Sequence, residues 1–179
     1  METTPKLTLY VDTVSPFAYL AYYITRYFFI TVNSDKYGDT VIRNSQPLPC
    51  IDWGFGLNLV SGRELIDGME QHDPAFSKCD VEYVPMFLGG VMKACGNTPP
   101  INIKNKDKWI NTERVRWARF FGIPMTAHMP DGFPPLTLTI MRALCAVTVL
   151  EPGQEALVAC LDALFAAYWV RCEETTERG

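Results

Sequence analysis

Ser15-Pro16-Phe17-Ala18 is the stretch of this 179-residue chain whose residue types could do chemistry. Ser followed by Pro is a favoured helix start, with serine at the cap and proline at the first helical position. Such a start leaves backbone N–H groups free and carries partial positive charge, so it stabilises an anion. A thiolate is one such anion, and thiol pKa values fall at these places. The turn itself contains no cysteine, so a thiolate handled there comes from a bound partner. On the residues alone two readings of Ser15 stand: a plain helix cap, or a hydroxyl holding an anion at the positive end of the helix.

The other reactive residue types offer less. The six cysteines, Cys50, Cys79, Cys95, Cys145, Cys160 and Cys172, form no C-x-x-C and no metal-ligand spacing. Two histidines, His72 and His128, do not make an ordinary zinc site by themselves, so no metal is expected. A reduced intracellular setting suits this cysteine usage. Cys95 and Cys145 read as small, buried apolar residues, and the lack of both cysteines in the turn argues against a dithiol redox role. The net charge of −4 comes without a basic stripe, which argues against a nucleic-acid partner. Residues 16–32 are rich in aromatics, but Arg26 interrupts them and they are short for a hydrocarbon core of about 30 Å, so no membrane partner is expected. The N-terminus does not read as a signal peptide, and Glu177-Arg178-Gly179 is not a Ser-Lys-Leu type of address.

The elements that position Ser15 follow from periodicity. Leu7, Leu9 and Val11 alternate with Thr8, Tyr10 and Asp12, which predicts a strand over 7–12 running straight into the Ser15 turn and a helix. Residues 27–32 are β-branched and aromatic and predict a strand. The stretch 33–71 shows no motif beyond a short helix over 61–69, with Trp53 and Phe55 expected to pack on the domain surface. A second strand is predicted within 79–88, with Pro85 near its end. A short helical turn from Gly89 and the rigid loop Gly96-Asn97-Thr98-Pro99-Pro100 come next. Three helices complete the order. The first covers 111–121, with Asn111 or Thr112 as cap. Its buried side is Val115, Ala118 and Phe121, or Trp117 and Phe120, and Arg114, Arg116 and Arg119 are solvated. The second covers 136–150 with Ile140, Met141, Leu144 and Val147 or Thr148 inward. The third covers 154–171 with the stripe Leu157, Leu161, Leu164, Phe165, Tyr168 and Trp169.

Together, LYVDTVSPFAYLAY at 9–22, YVPMFLGGVMKACGNTPPINIKNKDKWI at 83–110, RVRWARFFGIPM at 114–125, LTIMRALCAV at 138–147 and ALFAAYWV at 163–170 carry a resemblance. In this order they resemble the kappa-class glutathione transferases and the related 2-hydroxychromene-2-carboxylate isomerases, within the DsbA-like branch of thioredoxin folds. The resemblance implies an α/β thioredoxin-like fold with an inserted helical domain. It implies glutathione as co-substrate, with Ser15 as the catalytic residue whose hydroxyl stabilises the glutathione thiolate. Pro16, Phe17, Asn97 and Lys106 are then glutathione-binding residues, Asn97 through the G-N-x-P-P loop. The expected activity is conjugation of glutathione to a small electrophile. The alternatives are glutathione-dependent isomerisation of a hydroxychromene carboxylate, or a non-catalytic, truncated member acting as a binding module. Family members form homodimers and occupy mitochondria or peroxisomes, although no address is readable in this chain.

The resemblance divides the chain into residues 1–25, the first strand and helix of the thioredoxin-like part; 26–72, an insertion without counterpart; 73–90, its second strand; and 91–179, the helical domain. A translated intron or a misjoined gene model would account for the insertion. The family continues beyond the residues matching this C-terminus, so the thioredoxin part is expected to be incomplete. The strands that would pair with 7–12 and 81–86 are then absent, and the chain is expected to be poorly stable alone, with strand edges prone to association.

Overall fold

The computed structural model describes residues 4–28 and 79–176. Strand β1, Lys6–Val11, ends in the Ser15 turn, and helix α1, Pro16–Tyr23, follows and continues through a π-helical turn, Ile24–Phe28. Strand β2 is Asp80–Pro85 and helix α2 is Leu88–Ala94. A short 3-10 turn at Pro100–Asn102 leads to α3, Lys106–Phe120. Helix α4 is Leu138–Leu150, and α5, Glu155–Phe165, runs on into a π-helical turn, Ala166–Val170.

The two strands lie parallel, in register from Lys6 opposite Asp80 to Val11 opposite Pro85. The strands expected over 7–12 and within 79–88 are thus present, and each has the other as its neighbour. Among the described residues the sheet has these two strands, one paired with the other. Pro85 has no N–H for the ladder and closes β2, while Met86 N–H still donates to the Val11 carbonyl at 2.9 Å. Two parallel strands bury little unaided, so the core is made by what packs on them. Tyr19 and Tyr22 of α1 lie 5.1 and 5.2 Å from the Phe165 ring of α5, and Tyr22 lies 4.9 Å from Tyr83 of β2. Val11, Leu161, Phe165 and Trp169 are fully buried. Helix α1 is therefore held between the sheet and the last helix, and the α5 stripe is core as its spacing indicates, with Leu164 only half-buried.

Several expectations are corrected. Helix α3 starts at Lys106 rather than at 111 or 112. Asn105, at φ 64°, turns the chain through the left-handed region, and Asp107 in the first turn complements the helix dipole. Arg114 is completely buried, not solvated. With Ala118 it forms the inner face of α3, and Trp117 and Phe120 are exposed. A charge on an amphipathic helix ordinarily faces water, but here the guanidinium finds a full set of acceptors. Its Nε and one terminal nitrogen donate to Asn111 Oδ1 at 3.0 and 2.6 Å, and the terminal nitrogens also donate to the Thr126 and Ala127 carbonyls at 2.7 and 3.0 Å. Cys95 and Cys145 are exposed, because Cys95 caps the end of α2 and Cys145 lies off the Met141–Leu144 inner side of α4. At 27–28 the chain is helical rather than extended. The expectations for 29–32, the helix over 61–69 and the packing of Trp53 and Phe55 fall outside the described residues.

Candidate active site

Ser15 stands at the carboxyl end of β1, the edge of a parallel sheet where ligands are ordinarily bound. Its backbone is extended, at φ −87° and ψ 117°, as a cap residue requires, and Pro16 takes the first helical position. The Ser15 Oγ accepts the Ala18 N–H at 3.2 Å, and the Ser15 carbonyl accepts the Tyr19 N–H at 3.1 Å. A hydroxyl has one hydrogen and two lone pairs, so Oγ keeps its hydrogen for another acceptor. Pro16 has no N–H, and the N–H of Phe17 meets no acceptor among the described residues. One O–H and one N–H therefore remain at the positive end of α1. Ser15 itself is half-buried, Pro16 is buried and Phe17 is exposed. The structure brings these three together as one corner.

The turn before Ser15 is held from several sides. The Ser15 N–H donates to the Asp12 carbonyl at 3.1 Å. The Asp12 carboxylate is buried, its Oδ1 accepting the Val14 N–H at 3.1 Å and its Oδ2 the Leu88 N–H at 2.8 Å and the Thr137 hydroxyl at 3.0 Å. The Thr13 carbonyl accepts the indole N–H of Trp169 at 2.9 Å. Beneath that indole lies Arg114, its guanidinium carbon 5.5 Å from the ring centre. Desolvation by burial pulls the Arg114 pKa below its usual value, and the acceptors named above, with the indole face, stand in for the lost water. Burial likewise raises the Tyr168 phenol, which packs edge-on to Trp169 at 5.1 Å.

Asn97 and Lys106 lie elsewhere in character. Gly96, at φ 64°, ends α2 in a Schellman arrangement: its N–H donates to the Lys93 carbonyl at 3.2 Å and the Asn97 N–H to the Met92 carbonyl at 2.9 Å. The Asn97 side chain is exposed, as is Lys106 at the first position of α3. Among the described residues no hydrogen bond or ion pair joins either of them to the Ser15 corner. The residues that sequence reasoning missed are Asp12, Thr137, Arg114 and Trp169 in its hydrogen-bonding role. Asp12 carried one readable signal, a carboxylate between a buried strand end and a helix cap. Arg114 and Trp169 meet across more than fifty residues of chain and left none.

Among the described residues, no group of His, Cys, Asp or Glu could hold a metal ion, and no helix is long and apolar enough to cross a membrane. Residues 63–179 match the DSBA-like thioredoxin domain family. Over 137 residues the chain is 26% identical to glutathione S-transferase kappa 1 of Caenorhabditis elegans, covering 73% of this chain and 58% of that protein. Over 100 residues it is 32% identical to glutathione S-transferase kappa 1 of Rattus norvegicus, covering 52% of this chain and 42% of that protein. The chain thus spans about half the length of the curated relatives it matches.

Proposed function

The chain belongs to the DSBA-like thioredoxin domain family, and we propose that it is a kappa-class glutathione transferase in which Ser15 holds the glutathione thiolate for attack on a small electrophile. The observation that carries this reading is the Ser15 corner, where the Oγ already accepts the Ala18 N–H and has its own hydrogen left to donate. Accepting a backbone N–H polarises a hydroxyl and strengthens its next donation. A sulfur seated in front of Ser15 would receive that O–H and would face the start of α1, both of which favour the thiolate over the thiol. A free thiol titrates near ~8.5, and one pKa unit corresponds to about 1.4 kcal/mol. A single hydrogen bond to a charged acceptor, worth about 1.5–3 kcal/mol, therefore lowers the thiol pKa by about one to two units and ionises between about a quarter and four fifths of the bound thiol at neutral pH.

In this reading the thiol proton leaves to solvent, the sulfur lone pair forms the new bond to the electrophilic carbon, the leaving group on that carbon departs to solvent with its bonding pair, and Ser15 keeps its proton throughout. Exposed Phe17 offers its ring to glutathione, Pro16 fixes the direction of the helix start, and Asn97 and Lys106 hold the peptide and its carboxylates. The similarity to two proteins named glutathione S-transferase kappa 1 supports the choice of co-substrate. The test is turnover of glutathione with a chromogenic electrophile. Wild type is expected to conjugate it and Ser15→Ala to lose about 10- to 100-fold in kcat/KM. Equal rates for the two would overturn the assignment, as would the absence of turnover with wild type.

A further inference from the structure

We propose that Asp12 is the positioning residue of the Ser15 corner and that Thr137, at the start of α4, is the hydroxyl through which the helical region holds it there. The inference rests on the reading of Ser15 as the thiolate donor. Asp12 is 1% exposed and Thr137 is equally buried. Burying a carboxylate costs several kcal/mol in lost hydration, and among the described residues no Lys, Arg or His forms an ion pair with it. What offsets the cost is its donors: Val14 N–H from the turn itself, Leu88 N–H from the start of α2 and the Thr137 hydroxyl. These groups come from separate parts of the chain and converge on the turn that closes with the Ser15 N–H on the Asp12 carbonyl.

The arrangement fixes more than the fold of a loop. Asp12 side chain and backbone together determine where β1 stops and where the Ser15 cap begins. The Ser15 O–H and the Phe17 N–H take their direction from that point. A misplacement of about 1 Å at a reacting group can cost on the order of 100-fold in rate, so a turn that is free to shift would keep the serine and lose the geometry. The side chains that hydrogen-bond to this turn from neighbouring elements, Thr137 and Trp169, are uncharged, as is Ser15. Asp12 thus contributes the one charge among them. By charge alone it would oppose a nearby thiolate, and by position it favours one, so the two roles have opposite signs.

Those signs define the experiment. The thiol pKa of glutathione bound to the full chain is read from thiolate ultraviolet absorbance per bound glutathione across pH, for wild type, Asp12→Asn, Thr137→Val, Ser15→Ala and Leu161→Ala. An amide has one acceptor oxygen and one donor nitrogen, so Asp12→Asn sets a donor against either Val14 N–H or the Leu88 and Thr137 donors. The bound-thiol pKa is expected to rise in Asp12→Asn, leaving about three- to ten-fold less thiolate at neutral pH. Thr137→Val keeps the charge and is expected to raise it by a smaller amount. Leu161→Ala removes fully buried apolar volume from α5, at a residue that takes part in none of the hydrogen bonds of the turn, and is expected to lower stability while leaving the thiol pKa at the wild-type value. An unchanged or lowered pKa in Asp12→Asn overturns the positioning role. If Asp12→Asn does not fold, an unchanged pKa in Thr137→Val overturns it instead. If wild type and Ser15→Ala give the same pKa, the reading of Ser15 itself fails and the role of Asp12 falls with it; a rise in Ser15→Ala without one in Asp12→Asn removes the Asp12 role alone.

Discussion

The Ser15 corner and the Asn97–Lys106 region, the two places given to glutathione in the proposed reading, are built in opposite ways. Around Ser15, Asp12, Thr13 and Thr137 are buried, and the turn is hydrogen-bonded to α2, α4 and the end of α5. Around Asn97 and Lys106 the side chains are exposed, and the backbone bonds nearby are local ones that end α2 and begin α3. The first region is hydrogen-bonded from several elements; the second presents exposed side chains on locally bonded backbone. Preorganised donors matter most where charge develops, and flexible, exposed groups suffice to hold a peptide. In the proposed reading the corner carries the chemistry and the loop the affinity.

The largest expected effect comes from the support beneath the corner. Arg114→Ala would leave Asn111 Oδ1 and the Thr126 and Ala127 carbonyls without their donors and withdraw the cation from under Trp169. A loss of about 3 kcal/mol or more is expected in urea unfolding. A loss below about 0.5 kcal/mol would mean that the corner is not held from below.

Ser15→Ala separates function from support. It removes a helix cap, which costs about 1 kcal/mol, but its effect on kcat/KM is expected to exceed what that loss of stability explains. Asn97→Ala and Lys106→Ala sharpen the contrast from the other side, since both residues are exposed and stability should change by no more than about 0.5 kcal/mol. The expected kinetic result is a several-fold higher glutathione KM with kcat retained. A drop in kcat without a change in KM would place these residues in the chemistry and erase the distinction.

Alkaline pH probes the tyrosines buried among α1, β2 and the end of α5. Burial raises the Tyr22, Tyr83 and Tyr168 phenols above the ordinary 10.0, Tyr22 further through its hydrogen bond to Asp162. Their contribution to stability is fully present below pH 10 and is lost as pH rises beyond it, because the unfolded chain releases protons that the folded chain keeps. Phenolate absorbance is therefore expected to lag during a rise above pH 10 and then appear together with unfolding. Immediate ionisation of all the tyrosines would show that these rings are not buried.

Much of this was legible in the sequence for identifiable reasons. Leu7, Leu9 and Val11 alternate, and Ser15-Pro16 follows directly, so strand, turn and helix declare themselves locally. The stripe from Leu157 to Trp169 is long enough for its period to be plain. The start of α3 was misplaced because Asn105 and the lysines around it give no apolar period, and the left-handed Asn105 is a backbone event without a distinctive side-chain pattern. The sequence points to a solvated Arg114 because a charge on a helix ordinarily faces water, and its acceptors, Asn111 Oδ1 and two loop carbonyls, follow no pattern. Cys95 and Cys145 were read as buried from residue type alone, whereas their places on α2 and α4 decide their exposure. The Ser15 corner was visible as a motif. Its supports were not, because Asp12 meets Leu88 and Thr137, and Thr13 meets Trp169, only through the folded chain.

The central claim is that the Ser15 hydroxyl at the start of α1 holds a bound thiolate. The most direct measurement is the thiol pKa of glutathione in complex with wild type and with Ser15→Ala. The expected value with wild type lies at least about one unit below the ~8.5 of a free thiol, and the variant is expected to return it toward that figure. The same pKa in both complexes would contradict the claim.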